Sequence, residues 1–179
     1  MVSTKPRIEP GRLRELGPVN WAVWQVISRA AGTPDAHLFS TLGRTGGLFR
    51  GWLHFSGRLM PGGKLRRYET ELVILRVAHL RECTYETDHH LRLGKRAGVT
   101  PEIMDRLRLG PQAPGWSERE RALLTAVDQL VRTRDIDDAA WSALAGHYDE
   151  PRLIEIVLLT NQYEGLASTI GALRIQTDH

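Results

Sequence analysis

Between Leu65 and Arg81 the chain places Leu72, Val73, Leu75, Val77, Ala78 and Leu80 so closely that one face of a helix cannot hold them all. A helix apolar around most of its circumference has to be wrapped by other elements, since each aliphatic side chain left in water forfeits roughly 1.5–3 kcal/mol. The remaining segments supply that wrapping, and nearly all of them have helical rather than alternating periodicity. After a polar lead from Met1 to Leu16, Trp21, Trp24, Val23 and Ile27 recur at offsets of three and four between Pro18 and Ala31, ahead of a stop at Gly32. Asp35 to Met60 is apolar and aromatic but broken at Gly43, Gly46 and Gly47, which predicts two helices, the second bearing Phe49, Trp52, Leu53 and Phe55. Cys83 to Ala97 forms the helix after the central one, stopped by Gly98. Thr100-Pro101-Glu102 opens a short helix, and Ser117-Glu118-Arg119-Glu120 carries a capping box for one reaching about Arg134. A shorter helix over Asp137 to His147 precedes a long last one, Arg152 to Ile175, whose apolar positions nearly encircle it and predict burial or a subunit contact. The expected class is all-α, a single-domain multi-helical bundle.

Its 179 residues suit one domain with a full core, and 41% hydrophobic with 25% charged residues is an ordinary globular balance. Formal charge is only +3, with Lys and Arg interleaved among Asp and Glu, so no nucleic-acid partner is expected. One cysteine cannot close an internal disulfide, and no basic segment leads into an apolar stretch at the N-terminus, so the expected location is the cytoplasm. Apolar runs such as Ile154 to Leu159 fall well short of the ~20 residues of a membrane span, so no membrane partner is expected either.

The chemistry gathers around that cysteine. Glu71, Cys83, Tyr85, Glu86 and His90 bring a thiol, two carboxylates, a phenol and an imidazole within twenty residues. On a helix, Cys83, Glu86 and His90 at offsets of three and four share one stripe, while His89 points about 100° away. A helix start at Cys83 would favour its thiolate, whereas Glu86 would oppose it. Glu71 lies within the apolar helix, where a carboxylate needs a partner: either Arg67 or Arg76 offers one, or it is a shielded carboxyl that moves protons. Glu86 and His90 are also one turn apart as a metal pair would be, with His54 or His79 as a third ligand. However, no paired Glu-x-x-His and no His-Glu-x-x-His motif is present, so neither metal nor cofactor is expected. Trp21, Trp24, Trp52 and Phe55 read as core packing before they read as a ligand pocket. Trp52, His54 and Tyr163 are the outlying pocket candidates, Tyr163 because Asn161-Gln162-Tyr163-Glu164 sets polar groups inside an apolar helix.

From Arg67 through Thr100 the chain resembles the carboxymuconolactone decarboxylase superfamily, which includes the alkyl hydroperoxide reductase D proteins. The resemblance rests on Tyr68-Glu69-Thr70-Glu71-Leu72-Val73-Ile74-Leu75, on Cys83-Thr84-Tyr85-Glu86 with His90, and on Gly98-Val99-Thr100-Pro101-Glu102; the core motif spans Leu65 to Glu102. It implies an all-helical fold over residues 1–179 and a homo-oligomer, often a trimer or hexamer, with the pocket near a subunit contact. It also implies that Glu71 stands at the proton-relay glutamate of the hydroperoxide-reducing branch, Cys83 at its first cysteine, Tyr85 at the tyrosine and His90 at the histidine. Glu86 occupies the place of the second cysteine. A disulfide cycle needs both sulfurs, so that cycle is excluded here.

The first expectation is therefore a cofactor-independent acid–base enzyme acting on a small oxygenated carbon compound, a decarboxylase or a lactone- or enol-processing lyase. Glu71, Glu86 and His90 would move protons and Tyr85 would orient the substrate. One alternative is a single-cysteine thiol peroxidase in which Cys83 attacks and an external thiol resolves the sulfenic acid. Another is a non-catalytic binder of a small hydrophobic ligand.

Overall fold

The computed structural model describes residues 5–178, which form nine α-helices with no strand among them. Two compact units divide the described residues, 5–58 with 168–178, and 59–167.

In the first unit, α1 (Leu13–Ala31) is broken at Gly17, whose φ of 69° and ψ of 167° let Pro18 begin the main helix. Of the expected polar lead, residues 1–4 lie outside the described residues, and Leu13 to Leu16 already form a helical turn. The turn forms because Leu16 is buried with Trp24 and Ala36, and Trp21 and Phe39 pack against them. Trp24 donates its indole N–H to the Ala36 carbonyl at 3.3 Å. The glycine-broken segment gives α2 (His37–Leu42), a 3₁₀ turn over Gly43–Thr45, and α3 (Gly47–Leu59). Asn20 ties this corner together by donating to the Gly43 and Gly46 carbonyls at 2.7 and 3.1 Å.

In the second unit, α4 (Arg67–Leu80) is the wrapped helix the sequence predicts, with every residue from Glu69 to Ala78 buried. Val73, Ile74 and Val77 face a core built with Leu123, Ala126 and Val127 of α7 (Glu118–Thr133), Leu144 of α8 (Asp138–Ala145), and Ile156 and Leu159 of α9 (Glu150–Leu173). Leu72 and Leu75 pack with Met104 and Leu107 of α6 (Pro101–Leu109) and with Leu124. Because α4 is buried from Glu69 to Ala78, the polar residues in that stretch need fixed partners, as Arg76 and Glu69 show. Arg76 donates to both Asp128 oxygens at 2.6 and 2.7 Å and to the Leu107 and Arg108 carbonyls. Glu69 accepts from Arg119 at 2.5 Å and from the Tyr148 hydroxyl at 2.8 Å. Glu155 of α9 accepts from the Lys64 and Leu65 backbone N–H groups at 2.7 and 3.1 Å, which holds the glycine loop ahead of α4.

The corner from α4 into α5 (Thr84–Ala97) fixes the site. Glu82 takes a positive φ of 51°, its N–H bonds to the His79 carbonyl at 3.1 Å, and the Cys83 N–H bonds to the Ala78 carbonyl at 2.9 Å. This is the Schellman stop that glycine ordinarily makes, built here with glutamate. It turns the chain so that Cys83, the last residue of the stop, is also the N-cap of α5. No described helix is long and apolar enough to cross a membrane.

Candidate functional site

Along α5 the residues Glu86, His90 and Gly94 are buried at successive offsets of four, with Cys83 at the head of the stripe, as the spacing predicts. The stripe faces Glu71 of α4, which is fully buried. His90 Nδ1 lies 2.8 Å from Glu71 Oε2. Facing a carboxylate oxygen, Nδ1 carries the proton, which leaves Nε2 as the bare nitrogen. The other carboxylate oxygen, Oε1, sits 2.5 Å from Arg67 Nη2 one turn back on α4, close enough for an ion pair though not aligned as a hydrogen bond. Of the two arginines open to Glu71 in sequence, Arg67 is thus its partner, and Arg76 belongs to Asp128.

Burial pulls the His90 pKa below the ordinary imidazole value; the Glu71 hydrogen bond and charge oppose that shift without reversing it. A neutral imidazole at neutral pH follows. Tyr163 of α9 meets the His90 ring edge-on, with centroids 5.1 Å apart and planes at 86°. Burial raises its phenol pKa, and the charges of Glu86 and Glu71 add to the rise while Arg67 opposes it. All three of those groups therefore act on the Tyr163 hydroxyl, and the outlying sequence candidate on α9 joins the central set.

Glu86 is 2% exposed, and neither of its oxygens has a nitrogen or oxygen partner. Burial lifts its pKa to about 8, against a hydrogen bond from the Cys83 thiol that lowers it. Raised that far, it is held mainly as the carboxylic acid at neutral pH, a buried O–H donor. The same burial, joined by the Glu86 charge, pushes the Cys83 thiol up to about 12; the Glu86 and Tyr85 backbone N–H groups at the helix start pull the other way and lose. The sequence left the direction of this thiol open, and desolvation decides it. Tyr85 is buried and stacks on His89, centroids 4.9 Å apart and planes within 14°, so its ring shares the face of the neighbouring histidine.

Trp52 and His54 lie on α3 in the first unit: Trp52 packs against Phe49 and Phe39, and His54 is exposed. Among the described residues no three His, Cys, Asp or Glu side chains gather as a metal-binding group. The residue the sequence reading undervalued is Arg67, weighed there only as a surface partner for Glu71. Its offset of four from Glu71 was the available signal.

What this arrangement can do is transfer protons between a neutral imidazole, oriented by a carboxylate–guanidinium pair, and a protonated carboxyl. Residues 46–129, which include every one of these groups except Tyr163, match the carboxymuconolactone decarboxylase family. An uncharacterised protein, YdfG of Bacillus subtilis strain 168, is 25% identical over 100 residues, spanning 55% of this chain and 68% of its own. The crystal structure of an uncharacterised peroxidase-related protein with an alkylhydroperoxidase AhpD core, from Ralstonia eutropha JMP134, superposes with a TM-score of 0.83 at 18% identity, covering 97% of this chain and 92% of that one. The debrominase Bmp8 superposes with a TM-score of 0.80 at 17% identity over 98% and 94% of the two chains. A cysteine-to-alanine variant of that debrominase has been solved in complex with 2,3,4-tribromopyrrole. The superpositions show a shared fold.

Proposed function

We propose that this chain, whose residues 46–129 match the carboxymuconolactone decarboxylase family, is a cofactor-independent acid–base enzyme acting on a small carbonyl compound by way of an enol. The observation that carries the reading is the contrast between two buried carboxyls around one imidazole: Glu71 is engaged by His90 and Arg67, while Glu86 has no nitrogen or oxygen partner and is lifted to about 8. An imidazole whose pKa is lowered and a carboxyl whose pKa is raised supply a base and an acid to one site.

His90 Nε2 takes a proton from the carbon beside the carbonyl, the C–H electron pair moves toward the carbonyl oxygen, and Glu86 donates its proton to that oxygen. The products of the step are an enol, an imidazolium held by Glu71, and a Glu86 carboxylate. Returning the proton from the imidazolium to the other carbon face while Glu86 takes its own back gives isomerisation. Where a C–CO₂⁻ bond stands in place of the C–H bond, its electron pair moves toward the carbonyl oxygen as CO₂ leaves, Glu86 protonates that oxygen, and His90 takes no proton. The enol then gains a proton at carbon from solvent as Glu86 recovers its own. The phenol of Tyr163, kept protonated, borders the same space.

The test is deuterium incorporation beside the carbonyl, and CO₂ release, from acetoacetate and from an unsaturated γ-lactone in D₂O. Wild type and Cys83→Ser should both turn over, while Glu86→Gln and His90→Gln should lose at least about a hundredfold. Turnover untouched by either of the last two variants would overturn the reading.

A second reading takes Cys83 as the nucleophile, and the likeness to a debrominase whose pyrrole complex uses a cysteine-to-alanine variant favours it. It requires an external thiol to regenerate Cys83, because Cys83 is the only cysteine. Consumption of hydrogen peroxide or of a bromopyrrole with dithiothreitol, abolished by Cys83→Ser, would shift the assignment to it.

A further inference from the structure

The three arginine ion pairs that α4 makes treat their arginines differently; the Arg76 side chain is 4% exposed, while those of Arg119 and Arg67 are 32% and 34% exposed. Arg76 commits Nε and both Nη atoms to Asp128 and to the Leu107 and Arg108 carbonyls. Arg119 likewise commits all three nitrogens, to Glu69 and the His147 carbonyl. Arg67 does not. Its Nη2 faces Glu71, and its Nη1 is buried without a partner. Orphaned buried donors are rare, and a guanidinium donor is among the costliest to strand. The two structural arginines show what this fold does when an arginine serves packing alone: it saturates the fork.

Location completes the argument. Nη1 is bonded to the same carbon as the Nη2 that contacts Glu71 Oε1, so it lies beside the Glu71–His90 pair. The Arg67 charge acts on both His90 and Tyr163, so both rings lie within the field of the guanidinium. The other buried polar atoms without a hydrogen bond are Glu71 Oε1, which faces Arg67 Nη2, and the two oxygens of Glu86. A ligand completing this set needs one strongly accepting oxygen for Arg67 and a second, neutral oxygen to accept from the Glu86 hydroxyl.

We infer that Arg67 is a specificity-determining residue, seating an anionic oxygen of the substrate on Nη1 while Nη2 holds Glu71, so that the site selects small oxo- or hydroxy-carboxylates over their neutral counterparts. The inference rests on the acid–base reading for the second oxygen. It has its own consequence as well: an anion on Arg67 weakens the field that guanidinium exerts on His90, so binding raises the imidazole pKa and readies it to accept a proton.

The experiment uses the full chain and two probes of nearly equal shape, levulinate and methyl levulinate, with affinities from isothermal titration calorimetry at pH 7 and the His90 ring followed by NMR. Levulinate should bind about tenfold or more tighter than the ester. It should raise the pH at which the His90 ring titrates, and the ester should not. Arg67→Gln should bring the two affinities to parity, and Arg67→Lys should keep part of the preference as a point charge without the fork. Equal binding of acid and ester by the wild type, or no binding of either at millimolar concentration, overturns the inference. So does an acid preference that survives in a folded Arg67→Gln chain. If Arg67→Gln does not fold, the wild-type affinity ratio and the His90 shift still decide. Failure of the acid–base reading is read separately: wild type would then bind levulinate with the preference intact yet exchange none of its protons in D₂O.

Discussion

Replacing Glu86 by Gln should change how stability depends on pH more than it changes stability itself. In the folded chain the Glu86 carboxyl titrates near 8, whereas its ordinary value is 4.5. Between those values the unfolded chain has lost this proton and the folded chain has kept it, so each pH unit removes up to about 1.4 kcal/mol of folding free energy. Below pH 4.5 both states hold the proton and the contribution is flat; above about 8 both have released it, and the folded chain carries a buried carboxylate. The raised pKa therefore confers a stability that is complete at acid pH and lost as pH rises to about 8, a span of about 5 kcal/mol at most. Glutamine keeps the shape and removes the titration. Urea unfolding of wild type and Glu86→Gln at each pH from 4 to 9 gives the difference between them, in which titrating groups that do not interact with Glu86 cancel. That difference should move steadily in favour of the variant across the window and level off above pH 8. A difference constant to within about 0.5 kcal/mol from pH 5 to 8 would refute the reasoning, because it would mean that Glu86 ionises as readily inside the protein as outside it.

Three further outcomes follow from the same geometry. Cys83, with its pKa near 12, should alkylate with iodoacetamide at pH 8 at least about a thousandfold more slowly than free cysteine, measured by mass analysis of its peptide; a rate within tenfold of free cysteine would contradict the burial account. Glu82→Gly should raise stability by about 0.5–1 kcal/mol in chemical denaturation, since glycine adopts the φ of 51° that glutamate holds under strain at the α4–α5 corner, and any loss would show that the Glu82 side chain matters more than its backbone. Asp128→Ala should cost about 3–5 kcal/mol because it strands the Arg76 guanidinium, whose side chain is 4% exposed, and a loss below about 1 kcal/mol would mean that water reaches Arg76.

What could be read in the sequence was whatever local geometry dictates. The stops at Gly32 and Gly98, the Ser117 cap and the buried stripe of α5 all follow from spacing and backbone preference, and the structure has each of them. The α4–α5 corner was not marked by a glycine, because Glu82 adopts the left-handed conformation in its place. The pairing of Glu71 with His90, nineteen residues apart, depends on how two helices cross, which no periodicity encodes. Tyr163 was marked only as polarity in an apolar helix, and its edge-on contact with His90 required α9 to be in place.

The sequence also could not say what burial would do to a thiol and a carboxyl set side by side, yet that decides which chemistry the site favours. Desolvation moves both pKa values upward, and the two consequences are opposite. It brings Glu86 to about 8, close to the value at which a carboxyl is a useful proton donor near neutrality, and it takes Cys83 to about 12, far from the range of a nucleophilic thiolate. The first proton to leave the pair as pH rises comes from Glu86, and the charge it leaves behind makes Cys83 harder still to ionise. Replacing the second cysteine of the resembled motif by glutamate therefore does more than remove a resolving sulfur: at neutral pH it supplies an acid whose ionisation suppresses the thiolate of its neighbour. Glu86→Gln should separate the two roles, speeding Cys83 alkylation above pH 8 while abolishing proton transfer to the substrate.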